Sequence, residues 1–390
     1  MNISFIQPSR DNLKYLKWSY ASIRKNLDNK EHEICVADDF SSDGTESWCK
    51  EVSKSDPHFK FIRNNGPTRL GHTILYDRLI NDVATNDVVM IWHADMYACP
   101  DLDLHIEKHI KRGVVVSLTR IEPPLHPAGV EKITAGFGQE PEDFNEETFL
   151  SWFKSTVTSY KDKTTEGIFA PWAIYKEDFQ SIGGHDSLFA PQSKEDSDIF
   201  NRFLLNGYKF VQTWEGCVYH MTCRGSRFNP TLTEVGKESQ EWLKQNNRST
   251  RNFIRKWGHF VKHNEYMKPV VPKLYKVGFV IHNINDQLLS ALEPWCGTLY
   301  SDADCTRYIE SEQPTTKFDL RSRLKKTTER NEDDVIVEFD AREFGNAQFD
   351  FISNLSDIIT DTGEIGSFEF SIFKIKINSL VSRDHLLINL

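Results

Sequence analysis

The stretch VVMIWHADMYACPD, residues 88–101, decides how the chain is read. Its opening run is rich in branched and aromatic side chains, which suit a covered pleated surface, and it leads straight into His93, Ala94 and Asp95. A carboxylate at the edge of an apolar strand is unfavourable unless it meets a cation, a hydrogen-bond donor or water. The strand should therefore end at a polar rim, with a partner for Asp95 just outside the sheet.

The chain before this stretch alternates strand and helix. NISFIQP, HEICVADDF and FKFIRNN read as strands, while NLKYLKWSYASIRKNL, GTESWCKEVSKS and GHTILYDRLINDVA read as amphipathic helices. Such alternation predicts right-handed crossovers and a parallel sheet covered by helices on both faces. Ligands of these sheets sit beyond the carboxyl ends of the strands. Pro8, Ser9 and Arg10 follow the first strand, Asp38 and Asp39 end the second, Asn64 and Asn65 end the third, and Asp95 ends the fourth, so these residues should share one crevice. Within DDFSSDGTES, Ser42 and Asp43 suit helix capping as well as they suit a ligand.

Composition limits the function classes. With 390 residues, the chain is long enough for one large and one small domain. A formal charge of −10 repels polyanions and argues against nucleic acid as a partner. The longest apolar runs, such as DVVMIW and GVVVSL, fall far short of the roughly 20 residues that cross a bilayer. The N-terminus reads as a first strand and not as a signal peptide. Seven cysteines, an odd count, suggest reduced thiols, and a cytoplasmic protein is expected. CVYHMTC spaces Cys217, His220 and Cys223 like soft zinc ligands, but no second pair completes a tetrahedral site, which favours core thiols around a histidine with another role.

In this order, ISFIQPSRDNLKYLKWSYASI, EICVADDFSSDGT, NNGPTRLGHTI and VVMIWHADM resemble the nucleotide-binding half of a family 2 glycosyltransferase of the GT-A fold. FAPWAIYKEDFQSIGGHDSLFAPQSKEDSDIFNRFLLNGYKFVQ and VYHMTCRGSR continue the resemblance, which spans roughly residues 1–260. It implies a Rossmann-like mixed, mainly parallel sheet flanked by helices, with a donor half over about 1–100 and an acceptor and catalytic half over about 101–268. The implied reaction is a metal-dependent, inverting transfer of a sugar from a nucleoside diphosphate sugar, with UDP as the expected nucleotide, to a glycan or other hydroxyl acceptor.

The resemblance also implies roles for residues. Asp38 and Asp39 would hold the base and ribose, with Pro8, Ser9 and Arg69 nearby. The Asp-x-Asp motif of the family reads His93-Ala94-Asp95 in this chain, so its first carboxylate has become a histidine. Asp95 would face Mn²⁺ or Mg²⁺, and His93 would bind ribose, ligate the metal or be structural. His220 matches a metal-binding position, and Arg224 and Arg227 would neutralise the diphosphate through forked guanidinium contacts. Asp196 would be the general base, and Glu195 beside it would bind the acceptor, although carboxylates at a helix start also serve the dipole. Asp198 reads as a helix N-terminal residue. Gly183, Gly184 and Asp186 in SIGGHD, and Trp172 in APWAIY, would contact sugar, with a tight turn and a core role as the structural alternatives.

Two other readings compete. GPTRLGHT resembles the phosphate loop of sugar nucleotidyltransferases, but it follows the third strand and carries Pro67 where a glycine is expected. A non-catalytic carbohydrate-binding or scaffold protein on the same fold is the other. Beyond residue 268, YKVGFVIHN, DVIVEFD and SFEFSIFKIKI read as strands and DLRSRLKKTTERNEDD as a charged helix or loop. They predict a smaller α/β accessory domain over 269–390 with no recognisable chemical motif.

Overall fold

A computed structural model describes residues 1–222, 237–330 and 333–389. Ile3–Ser9 (β1), Glu33–Asp39 (β2), Phe59–Asn64 (β3) and Val88–Ile91 (β4) pair in parallel in the order β3–β2–β1–β4. The crossovers contain Leu13–Asn26 (α1), Thr45–Ser55 (α2) and Gly71–Arg78 (α3). Helix α1 buries Tyr15, Leu16, Ser19, Ser22 and Ile23, a stripe at helical spacing. Asp43 caps locally: its Oδ1 accepts from the Thr45 amide at 3.1 Å and its Oδ2 from the Leu13 amide at 2.8 Å, so the capping reading holds there.

After β4 the chain turns through His93–Asp95 into Met96–Ala98 (β5), then Leu102–His109 (α4) and Val114–Glu122 (β6). Short strands Ile133–Thr134 (β7) and Thr164–Thr165 (β8), helix Glu146–Val157 (α5), Trp172–Tyr175 (β9), Lys176–Ser181 (α6), Glu195–Leu205 (α7) and Lys209–His220 (β10) follow. The main path of this sheet is β3–β2–β1–β4–β9–β6–β10–β5. β9 runs antiparallel to both β4 and β6, and β5 antiparallel to β10, so the sheet is mixed but mainly parallel.

Register carries the polar strand ends to one rim. Ser9 lies opposite Asp38, Asp38 opposite Arg63, and Asp39 opposite Asn64. At the other side of the sheet His220 pairs with Met96, and the Met221 amide donates to the Asp95 carbonyl at 3.1 Å. The core beneath the rim is built from the branched residues of β1, β2 and β4, with Trp92, Trp172, Phe149, Phe179 and Phe203 fully buried among them.

The chain divides into two compact units, Met1–Lys244 with His263–Pro269 and Asn389–Leu390, and Gln245–Lys262 with Val270–Ile388. Helix Gln240–Trp257 (α8) falls within the 101–268 span expected for the first domain but contributes most of its length to the second unit. That unit holds Val277–His282 (β11), Thr298–Tyr300 (β12), Leu324–Lys325 (β13), Val335–Asp340 (β14), Gly366–Phe370 (β15) and Phe373–Ile377 (β16), ordered β13–β12–β11–β14–β16–β15. SFEFSIFKIKI is thus a hairpin, because Ser371 takes φ 53° and reverses the chain. A buried ionic group stabilises this unit: Glu293 accepts from Arg255 Nε at 2.9 Å and from Arg323 Nε at 2.7 Å.

Candidate functional site

At the end of β2 the carboxylates are already engaged. Asp38 is fully buried, accepts the Ser41 amide at 2.9 Å and pairs with Arg63. Asp39 Oδ1 accepts from Asn64 Nδ2 at 2.7 Å and the Leu70 amide at 3.1 Å, and Oδ2 accepts the Gly71 amide at 2.8 Å. Asp39 therefore shapes the loop 64–71 that follows β3, while Asp38 holds the turn after β2 and Arg63 of β3. Ser9 is buried with its hydroxyl unpartnered, Pro8 is half-buried, and Arg69 donates to Gln192 at 2.7 Å while its buried Nε makes no hydrogen bond and stands 3.8 Å from Asp39 Oδ2. Burial and the nearby Arg10 both lower the basicity of Arg69.

The second cluster answers the question posed by Asp95. His93, Asp95 and His220 each offer a ligand atom, and these atoms lie within 4.8 Å of one another. His220 Nε2 is 3.5 Å from Asp95 Oδ2, and its Nδ1 is 2.8 Å from Glu122 Oε1. Burial disfavours the charge on His220, but Asp95 and Glu122 outweigh it and raise the imidazole to about 9. Burial likewise opposes ionisation of Asp95, yet His220 holds it below its ordinary value. His93 is pushed down to about 4 by burial and is neutral at pH 7. Glu122, despite its burial, is kept well below the carboxylate range by His220, Arg120 and Lys132.

Two neutralisable imidazoles and a carboxylate suit a divalent cation of borderline character, and Glu122 behind His220 fixes the ring as an outer partner would. The Cys217–His220–Cys223 alternative does not fit. Cys217 is buried in the core with its thiol directed to the Trp214 carbonyl, and Cys223 lies outside the described residues.

The third cluster sits at the start of α7. Glu195 is buried, its Oε1 is 2.6 Å from His72 Nε2, and its Oε2 has no partner. Burial works against ionisation of Glu195, but His72 holds it below its usual value. Asp196, half-buried beside it, is pushed up to about 6 by burial and by the charge of Glu195. A carboxylate poised there can take a proton near neutral pH. Asp198 points inward to a buried pair with Arg202 at 2.9 Å, and Arg202 also donates to the Ile182 and Gly184 carbonyls, which locks the SIGGHD turn to α7.

The remaining sequence candidates divide. Gly183 and Gly184 take φ +85° and +72°, and a Cβ on Gly184 would stand 2.4 Å from Asp77 Oδ2, so these residues make the tight turn. Asp186 accepts the Leu188 amide at 2.9 Å and caps a short 3-10 turn. Trp172 is a correction: it is fully buried in β9 between Phe200 and Phe203 at 5.8 and 5.9 Å, with no face left for a sugar. Arg224 and Arg227 lie outside the described residues. The sequence reading missed Glu122, His72, Asp77 and His185. Glu122 ends a strand and could have been found by the signal that singled out Asp95, whereas the other three depend on contacts of α3 with the start of α7 and with the SIGGHD turn.

Residues 4–179 match the model of glycosyl transferase family 2. No curated protein matches the sequence. Among solved structures, this chain is similar to GalNAc-T7 crystallised with UDP, GalNAc and Mn²⁺, at 15% identity and TM-score 0.46, over 65% of this chain and 48% of that one. It therefore spans about half the length of GalNAc-T7. It is similar to S. aureus TarS residues 1–349 at 14% identity and TM-score 0.42, over 65% and 72% of the two chains. A third is the mannosyltransferase PcManGT from Pyrobaculum calidifontis with GDP-Man and Mn²⁺, at 15% identity and TM-score 0.42, over 64% and 61%. Among the described residues, no helix is long and apolar enough to cross a membrane.

Proposed function

We propose that the protein transfers a sugar, with inversion, from a nucleoside diphosphate sugar to a hydroxyl acceptor. What carries this reading is the combination, in one unit, of a three-residue cation cluster and a half-buried carboxylate raised to about 6. His93, Asp95 and His220 would hold Mn²⁺ or Mg²⁺, with His93 favouring manganese. Such a cation, when bound, offsets charge on the departing diphosphate. Asp38 and Asp39 shape the nucleotide end of the crevice, and Ser9 and Arg69 offer it their unfilled polar atoms.

Asp196 takes the proton from the acceptor hydroxyl as its oxygen forms a bond to the anomeric carbon. The bond from that carbon to the diphosphate oxygen breaks on the opposite face. Glu195 Oε2, buried and unpartnered, accepts from another acceptor hydroxyl. UDP is the proposed carrier, and Arg224 and Arg227 are proposed to meet its diphosphate.

Calorimetry of UDP- and GDP-sugars with and without Mn²⁺ tests the proposal. Metal-dependent binding followed by release of nucleoside diphosphate is expected. Binding of none of them with either metal would leave a carbohydrate-binding or scaffold role, and diphosphate exchange from a nucleoside triphosphate would mark a nucleotidyltransferase.

A further inference from the structure

Helix α3 reads in the sequence as a simple crossover, yet its side chains enter the rim. His72 stands 2.6 Å from Glu195 Oε1. Asp77, five positions later, accepts the His185 amide at 3.0 Å and faces its Nδ1 at 2.7 Å. Tyr76 lies in ring contact with both histidines, at 5.8 Å from His72 and 5.7 Å from His185. The start of the helix is fixed: Gly71 has φ +76°, its amide is bound by Asp39, and a Cβ there would fall 2.1 Å from the Pro191 carbonyl oxygen. The direction of His72 is therefore set by the same loop that the β2 carboxylates organise.

Two adjacent carboxylates at a partly dry site resist being ionised together, and they titrate as a pair. A carboxylate offers only acceptors, so in this contact Nε2 of His72 carries the hydrogen. Resting on the reading of Asp196 as the base, we propose that His72 is a positioning residue: by donating to Glu195, it lets both carboxylates of the Glu195–Asp196 pair stand ionised, which frees Asp196 to take the acceptor proton.

Other groups face the same pair. His185, held by Asp77, comes from the SIGGHD turn; His93 comes from the turn after β4, with Asp95 beyond it acting on Tyr76; Tyr76 comes from α3 itself. His185 is raised by Asp77 against the effect of burial, so its charged form is favoured beside the pair. Asp95 adds negative charge, and neutral His93 adds none. Tyr76 is kept protonated by burial and by Asp196 and Glu195, so it contributes no charge. Of these groups His72 is the one in hydrogen-bond contact with Glu195.

Carbon-13 NMR of the full chain, labelled at aspartate and glutamate carboxyl carbons and assigned with Asp196→Asn, follows the pair without any substrate. In His72→Ala the upper midpoint of the pair should rise by roughly one pH unit. His72→Gln, which keeps a donor, should recover at least half of that rise. In a Glu195→Gln background the His72→Ala shift should vanish. The His72 side chain is 34% exposed, so the fold accommodates both replacements. An unmoved midpoint in His72→Ala, or an equal shift in the Glu195→Gln background, would overturn the proposal. Failure to transfer any sugar would instead overturn the transfer reading and leave the measured charge relation standing.

Discussion

Asp95 Oδ2 and His220 Nε2 stand 3.5 Å apart, one from the turn after β4 and the other from the last residue of β10. Strands distant in sequence thus close one acid–imidazole contact, and Glu122 supports it from behind at 2.8 Å. Its charge state governs the first prediction.

With its imidazole raised to about 9, His220 is protonated at neutral pH, and it must lose that proton before its nitrogen can bind a cation. Mn²⁺ affinity should therefore climb between about pH 7 and pH 9, with proton release visible as calorimetric heats that depend on the buffer. His220→Ala should weaken Mn²⁺ binding at least tenfold and abolish the proton release. For the metal-free protein the sign is the usual one for a raised histidine. The stabilisation is fully present below the ordinary value of 6.5 and is lost as pH rises through about 9, so thermal stability should fall over that window.

Asp196→Asn should reduce turnover by ~10² to 10⁴-fold with little change in donor affinity, because the amide keeps the size of the side chain but accepts no proton. In the native protein kcat/KM should fall on the acid side of about pH 6, where Asp196 gains a proton. Asp95→Ala should show the reverse pattern, with Mn²⁺-dependent donor binding lost first. Equal binding losses in the two variants would contradict this division of labour.

Asp198→Ala should destabilise the first unit by about 3–5 kcal/mol, since it leaves the buried Arg202 charge unpaired. Urea denaturation monitored by tryptophan fluorescence reads this directly. A loss below about 1 kcal/mol would mean that the Ile182 and Gly184 carbonyls satisfy Arg202 by themselves.

Trp172→Ala should lower stability by about 3–5 kcal/mol through the cavity it leaves among Phe179, Phe200 and Phe203. Its effect on sugar binding, measured by calorimetry below the shifted melting temperature, should be nil. A selective loss of sugar affinity with stability intact would return this residue to the substrate.

The sequence by itself determined the parallel first half, its polar rim and the place of Asp95 on it, because these follow from local rules, whereas Asp196 and His220 became candidates only through the family resemblance. Period-two apolar runs make strands, helical spacing makes crossovers, and the residue after a buried strand must lie at the carboxyl edge of the sheet. The tertiary structure alone decided which polar residues meet. Asp38 and Asp39 could have faced a ligand on spacing alone, but Arg63, Asn64 and the amide of Gly71 reach them first. Trp172 could have stacked on a sugar, but insertion of β9 between β4 and β6 buries both of its faces. His72 and His185 carried no signal, since a histidine gains its role from the carboxylate that packing brings to it: Glu195 over 123 positions and Asp77 over 108. Local periodicity is written in neighbouring residues, whereas contacts between distant segments depend on how the sheet and its helices close, and a single residue's identity does not encode that closure.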